Sequence, residues 1–315
     1  MLLAIAGGAV GAENTPAPAG PVKTLKVTIL STMLAERGLG EWGFAALVEV
    51  DGHRILFDTG MYSDVVLKNA ATLKVDLSDV PDVILSHSHF DHVGGLMTLR
   101  DSVRARNPVA LATVHGAEGL FYRRIEGGPP ILANPLLVLR PQFEAGGGVF
   151  KIHAGPVQLY PGIWFTGPVP RKYPERNFPG NGRLESPAGV VEDNVPEDAA
   201  LVIDTADGLV VITGCGHAGV VNLLDYARTI VRPAKIHALI GGIHLFNASD
   251  ETLAWTAGKL REFGVENLLG AHCTGLETVY RFRSDLGLDR AHCVVGATGA
   301  NFELGKGIDP GVLAR

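Results

Sequence analysis

The sequence predicts an α/β protein built as a four-layer αββα sandwich, with two mixed sheets face to face and helices outside. Three observations lead there. Each half of the chain opens with a hairpin signal, Asp-Gly between two apolar runs, at Asp51-Gly52 and again at Asp207-Gly208. Each half then alternates short apolar strands with helical segments, the pattern of strands covered by helices. Apolar residues make up 46% of the 315, enough to fill a core between two sheets.

The elements follow in order. Leu25 to Leu30 alternates and reads as the first strand, and Met33 to Gly43 as a glycine-bearing loop. Phe44 to Val50 and Arg54 to Phe57 flank the first hairpin turn, and the second of these strands runs into Asp58-Thr59-Gly60. A helix is expected over Tyr62 to Leu73, with Ser63-Asp64 near its start. Val83-Ile84-Leu85 is a short buried strand, and a helix follows through Arg100 to Val103. Val109 to Val114 reads as a strand ending at His115-Gly116, and Ala117 to Arg124 as a short helix. The stretch from about 127 to 197 reads as an irregular insertion of long loops, with strand-like material at Val157 to Thr166; such segments in enzymes are often lids. Regular rhythm returns with strands at Ala200–Asp204, Leu209–Thr213, Ile236–Ile240 and Asn267–Ala271, and with helices at Val220–Val231 and about Glu251–Phe263, the latter capped by Ser249-Asp250.

Composition narrows the function. The chain carries 27 basic and 33 acidic residues, a net charge of −6, which argues against a nucleic-acid partner. No run is long enough to span a membrane. The three cysteines, Cys215, Cys273 and Cys293, make no disulfide framework. Met1 to Ala12 is apolar and closes on small residues, like the end of a secretory signal without its basic start. Residues 1–22 are therefore expected to be a clipped signal peptide and linker, with one domain over 23–315. A true signal places the protein in the periplasm or outside the cell; otherwise it is cytoplasmic. Oligomeric state is left open.

The chemistry concentrates in Ser86-His87-Ser88-His89-Phe90-Asp91-His92-Val93-Gly94-Gly95. On an extended chain residues two apart point the same way, so His87 and His89 can hold one metal. His92 breaks that parity. The chain must turn near Phe90, which lets Asp91 and His92 face a second position. Imidazole with one carboxylate suits zinc, and also manganese or iron. Three more histidines, His217, His244 and His272, each follow an apolar strand and a glycine or small residue. A lone histidine at a strand end usually just meets a carbonyl; three in the same type of position, beside a metal loop, converge on one cleft.

His-x-His-x-Asp-His after an apolar strand, with Phe57-Asp58-Thr59-Gly60 upstream, resembles the metallo-β-lactamase superfamily, whose fold is the same αββα sandwich. Thr213-Gly214-Cys215-Gly216-His217, Gly241-Gly242-Ile243-His244, His272-Cys273-Thr274-Gly275 and Gly167-Pro168-Val169-Pro170-Arg171 resemble one branch of it. That branch is typified by 7,8-dihydropterin-6-methyl-4-(β-D-ribofuranosyl)aminobenzene-5′-phosphate synthase. The match runs from about Leu25 to Phe302. The resemblance implies two divalent metal ions, one on His87, His89 and His217, the other on Asp91, His92 and His272. Asp58 would support the metal loop from behind. Cys215 stands where many members keep a bridging aspartate, and is either a thiolate ligand or a buried small residue; His217 is preferred over it for the first site. His244 is read as a substrate or proton-transfer residue, and Arg171 as a fork for an anionic substrate group.

A metal pair supplies hydroxide near neutral pH, and Asp91 would orient the water and pass its proton. The serine-hydrolase elbow, the P-loop and the dinucleotide fingerprint are absent. The first reading is therefore a metal-dependent hydrolase of an ester, lactone, amide or phosphoester, taking a small molecule that carries negative charge if Arg171 meets it. The alternatives are a synthase of the dihydropterin type and a non-catalytic metal-binding protein. An exported protein would rarely meet the synthase's cytosolic intermediates.

Overall fold

The first strand, β1 (Leu25–Ser31), buries Leu25, Val27 and Ile29 on one side, as its alternation requires. It pairs antiparallel with β2 (Ala45–Val50), which turns through Asp51 and Gly52, both at positive φ, into β3 (His53–Phe57). The structure, a computed structural model, describes residues 20–126, 134–177 and 182–312; the signal-like segment lies outside them.

Helix α1 (Val65–Leu73) leads to β4 (Asp82–Ile84), then the short α2 (Phe90–Val93) and α3 (Leu96–Arg104). β5 (Thr113–Ala117), β6 (Arg123–Glu126), α4 (Leu136–Ala145), β7 (Val149–His153), β8 (Val157–Tyr160), β9 (Ile163–Phe165), β10 (Arg183–Ser186) and β11 (Gly189–Glu192) follow. The second half comprises β12 (Ala200–Thr205), β13 (Gly208–Thr213), α5 (Val220–Ile230), β14 (Ile236–Gly241), α6 (Asp250–Glu262), β15 (Asn267–Gly270), a 3-10 turn at His272–Thr274, α7 (Leu276–Leu286), β16 (Cys293–Val295), β17 (Asn301–Glu303) and β18 (Gly307–Asp309). Ser249 caps α6 by accepting from the Thr252 amide, as expected.

Two large sheets result. One runs β18-β17-β1-β2-β3-β4-β5-β7 and the other β16-β15-β14-β13-β12-β9-β8. In each, an antiparallel hairpin passes into parallel strands: β3, β4, β5 and β7 in the first, β13 to β16 in the second. Between the sheets lies a core that includes Phe44, Phe57, Phe165, Ile212, Ile240 and Phe302. A second apolar layer joins β12 to β15 to α5, α6 and α7, and a third joins β2 to β5 to α1, α3 and α4. This is the four-layer αββα arrangement. Strands β12 and β13 are covered on both faces, so they read as continuous apolar runs rather than alternations. Each fully buried Phe or Ile in these layers contributes about 1.5–3 kcal/mol of burial.

Two expectations fail locally. Val109 to Ala112 is a chain of turns, with Leu111 at φ 50°, and the strand starts only at Thr113. The buried Arg100 guanidinium donates to the carbonyls of Ala110 and Pro108, which holds that segment against α3 and out of the sheet. Ala117 to Arg124 is not a helix either. Gly119 sits at φ 99°, the chain turns twice, and Arg123 and Arg124 enter β6, which pairs with β10. The segment from about 127 to 197 is also more regular than loops: its described part carries α4, β7 and the strands β10 and β11, which form a three-stranded sheet with the preceding β6, besides the strand-like stretch at 157–165.

Candidate metal centre

The centre sits where open α/β sheets place ligands, beyond the carboxyl ends of parallel strands. β4 ends before His87 and His89, β13 before Cys215 and His217, β14 before His244, and β15 before His272. The approach of these loops is set by glycines. A Cβ on Gly214 would lie 2.1 Å from Ser86 Oγ and 2.5 Å from Asp58 Oδ2, so no side chain fits there. One on Gly242 would lie 2.1 Å from the Gly214 carbonyl oxygen.

Donor atoms fall into groups whose members all lie within 4.8 Å of one another. His87, His89 and His217 form the first, and Asp91, His92, Cys215 and His272 the second. A third, Cys215, His244 and Cys273, overlaps the second. Cys215 thus lies with the Asp91 group and not with His217. Its sulfur is 3.1 Å from His92 Nε2, while Asp91 Oδ2 is 3.7 Å from that nitrogen and 3.3 Å from His272 Nε2.

Asp58 organises the loop from behind. Its carboxylate accepts from the Ser86 amide at 2.8 Å, the Ser86 hydroxyl at 2.7 Å and His92 Nδ1 at 2.7 Å. The Ser86 hydroxyl, already donating to Asp58, accepts from His87 Nδ1 at 2.9 Å. That assigns the His87 lone pair to Nε2. His87 Nε2 is buried without a hydrogen-bond partner among the described residues. A buried acceptor left so costs free energy unless something binds it, and a cation does. Asp58, His244 and His272 sit at φ 56°, 49° and 48°, a region that side-chain-bearing residues avoid. Such strain clusters where surrounding structure enforces a site.

Electrostatics divides the two groups. Burial first, then the neighbouring imidazoles, push His87 and His217 far below the usual histidine range. Burial and the Arg124 charge take His89 down to about 3. All three are neutral at pH 7, the form that binds a metal. In the second group burial opposes charge on His92, yet the Asp58 and Asp91 carboxylates hold it above its ordinary value. His272 is likewise pushed up to about 10, against burial, by the Cys273 sulfur and by Asp91. Asp91 stays well below the carboxylate range despite its burial, because His92 and His272 face it. The same negative potential that retains these protons favours a divalent cation in their place. The residues therefore fit a metal pair: a neutral three-imidazole set beside a mixed oxygen, nitrogen and sulfur set.

Other expected residues take definite places. His244 is half-buried, its ring 4.6 Å from that of His217, and its donor atom groups with Cys215 and Cys273. Arg171 does not present a free fork. Its guanidinium donates to the main-chain carbonyls of His217 at 2.8 Å and Val195 at 3.3 Å, and to that of Asn194. It holds the His217 loop against the preceding segment instead.

Several supporting residues left little trace in the sequence. Ser88, between the two loop histidines, donates to Glu197 Oε1 at 2.6 Å, and Arg124 joins Glu197 at 2.9 Å and Asp193 at 2.6 Å. Glu197 and Arg124 come from segments read as loop and helix, so nothing local announced them. Cys273 follows His272 directly, and that adjacency was its one signal. Trp42, in the loop before β2, lies 4.9 Å ring to ring from His272 and 5.4 Å from Phe246, which is 5.3 Å from His244. Trp42 and Phe246 are 38% and 46% exposed, an aromatic rim at the centre.

Two sheets with a histidine-rich cluster of candidate metal ligands at their strand ends define an αββα protein of the metallo-hydrolase type of fold. The chain belongs to the metallo-β-lactamase superfamily, whose family model matches residues 43–231. It is 29% identical over 279 residues to the 7,8-dihydropterin-6-methyl-4-(β-D-ribofuranosyl)-aminobenzene-5′-phosphate synthase of Methanocaldococcus jannaschii, covering 84% of this chain and 93% of that one. An uncharacterized protein of the same organism is 27% identical over 243 residues, 75% of this chain and 85% of its own. Among solved structures it resembles a metal-dependent hydrolase of the β-lactamase superfamily, with TM-score 0.72, 28% identity, and 89% and 99% of the two chains covered. The metallo-β-lactamase fold protein YhfI of Bacillus subtilis, at TM-score 0.55 and 14% identity, covers 89% of this chain and 100% of its own and shares the fold.

Proposed function

We propose that this protein is a metal-dependent hydrolase that cleaves an ester, lactone, amide or phosphoester with water. The observation that carries the reading is the pair of adjacent donor groups, three neutral imidazoles beside Asp91, His92, Cys215 and His272. His87, His89 and His217 would hold one divalent ion, zinc by the donor chemistry, and the other four residues a second. Metal bound by these residues would supply a hydroxide near neutral pH and would polarise the scissile carbonyl or phosphoryl oxygen.

The chain's own residues do the rest. Asp91, 13% exposed at its side chain and kept ionised, orients a water and accepts its proton. His244, half-buried and beside His217, can hand a proton to the leaving group. Trp42 and Phe246 offer apolar area for a planar or acyl part of a small-molecule substrate.

The similarity to the M. jannaschii synthase favours a second reading, transfer to a dihydropterin, and the same centre would serve it. The test measures metal per chain on protein purified without added metal, with phosphodiesters, lactones and the synthase's substrates assayed on the same sample. Two equivalents with hydrolytic turnover support the hydrolase; turnover of the pterin substrates alone moves the assignment to the transferase; no metal and no turnover overturns both.

A further inference from the structure

We propose that Cys215 and Cys273 are a redox modification site, a thiol pair that peroxide converts to a reversible disulfide, removing the Cys215 sulfur from the second donor group. The two sulfurs stand 3.2 Å apart, and both residues are buried. A disulfide needs about 2.05 Å between them, so closure asks the sulfurs to approach by about 1.2 Å. Both sulfurs are carried on loops that the fold pins to one segment. Gly242 donates to the Thr213 carbonyl at 3.2 Å, ahead of Cys215, and Leu245 donates to the Cys273 carbonyl at 3.1 Å. Gly242 has no side chain to separate them, since a Cβ there would lie 2.8 Å from Cys273 Sγ.

The order of events follows from position. Cys215 keeps 2% of its exposure and borders the Asp91 group, whereas Cys273 is 0% exposed, so Cys215 is the sulfur nearer to solvent and to an incoming hydrogen peroxide. The Cys215 thiol attacks the O–O bond and becomes a sulfenic acid, releasing one water. The Cys273 thiol then attacks the sulfenic sulfur, forms the S–S bond and releases a second water. Two thiols lose two electrons and two protons in all, and peroxide is reduced to two waters. Cys293 takes no part: it lies on β16, with its sulfur directed to the Val279 carbonyl at 3.4 Å. The inference rests on the donor groups assigned above for one consequence. A disulfide sulfur is a poor metal donor, so oxidation leaves the second group with Asp91, His92 and His272, while the three-imidazole group contains no sulfur and is unaffected.

The experiment treats chelator-stripped full-length protein with hydrogen peroxide, unfolds it, counts thiols and maps peptides by mass spectrometry. The expected result is one titratable thiol where the reduced protein shows three, a mass lower by two hydrogens, and a linked peptide pair containing Cys215 and Cys273. Dithiothreitol should restore all three thiols. Zinc titration of the oxidised form should show one equivalent fewer than the reduced form. Cys293→Ser should form the same link, and Cys273→Ser should form none and gain oxygen at Cys215. Three thiols surviving peroxide, or oxygen added at Cys215 of the unsubstituted chain without a link, overturns the proposal. So does a link that leaves the zinc count unchanged in a protein whose reduced form binds two equivalents. Zinc binding by the reduced protein tests the hydrolase reading separately: a link formed in a protein that never binds zinc sinks that reading and leaves the thiol pair standing.

Discussion

Asp58 Oδ2 stands 2.7 Å from His92 Nδ1, and the same carboxylate holds both the amide and the hydroxyl of Ser86. One acid therefore fixes a ring of each donor group, His92 directly and His87 through Ser86. Asp58→Asn would set an amide N–H against His92 Nδ1–H or break a Ser86 bond. Metal affinity is expected to fall about 10–100-fold while the ligands themselves remain. Chelator-competition titration reads this; unchanged affinity would remove Asp58 from any role in the centre.

His87→Ala and His92→Ala should each abolish turnover and cost one metal equivalent, since each removes a donor from a different group. Elemental analysis of both variants decides it. Full activity with both metals retained in either variant defeats the assignment.

Cys215→Ser separates the two groups. The sulfur lies 3.1 Å from His92 Nε2 and outside the three-imidazole set. The second equivalent should weaken by about an order of magnitude or more, and the first should stay. Loss of the first equivalent instead would show that Cys215 belongs with His217.

Glu197→Ala should destabilise the fold by about 3 kcal/mol, because it strips one of two carboxylates from a buried guanidinium. Arg124 and Glu197 side chains are 7% and 0% exposed, and Asp193 remains as a partner, which keeps the loss at the lower end. Urea denaturation at pH 7 measures it. A loss below 1 kcal/mol would mean that Asp193 alone suffices.

Glu175 provides a pH test away from the metals. Its carboxylate receives the Val221 and Asn222 amides at the start of α5, yet burial pushes its pKa up to about 7. The folded state thus holds that proton more tightly than the unfolded chain. Its contribution is complete below the ordinary glutamate value and is lost as pH rises through 7. Glu175→Gln should be less destabilised, relative to the parent, at pH 8 than at pH 5. Denaturant midpoints at the two pH values show the sign, and equal differences at both would discard the claim.

Much of this was legible in the residues. The parity break at His92 pointed to two donor groups, and the structure gathers His87 with His89 and Asp91 with His92, because the turn at Phe90 is a local consequence of a strand meeting a helix. His217, His244 and His272 announced themselves by following apolar strands. What was not legible depended on distant partners. The expected helix at Ala117 to Arg124 yielded to a strand because Arg124 is drawn to Glu197 and Asp193, 73 and 69 residues away. Arg171 looked like an anion fork because a sequence shows a guanidinium and not the carbonyls that occupy it. Cys273 stood in a motif beside His272, but its closeness to Cys215 was not readable until the two loops were placed together.

The centre also joins what the chain keeps apart. His92 and Cys215 are 123 residues distant in sequence, and the His272 amide reaches back 240 residues to the Thr32 hydroxyl. Neither donor group exists within one half of the polypeptide. Closing such long loops is slow and comes late in folding. Metal uptake should therefore be the last event of maturation, and an ion once bound would staple the two halves, so that its departure, more than any loss of core packing, would mark the first step of the protein's ageing.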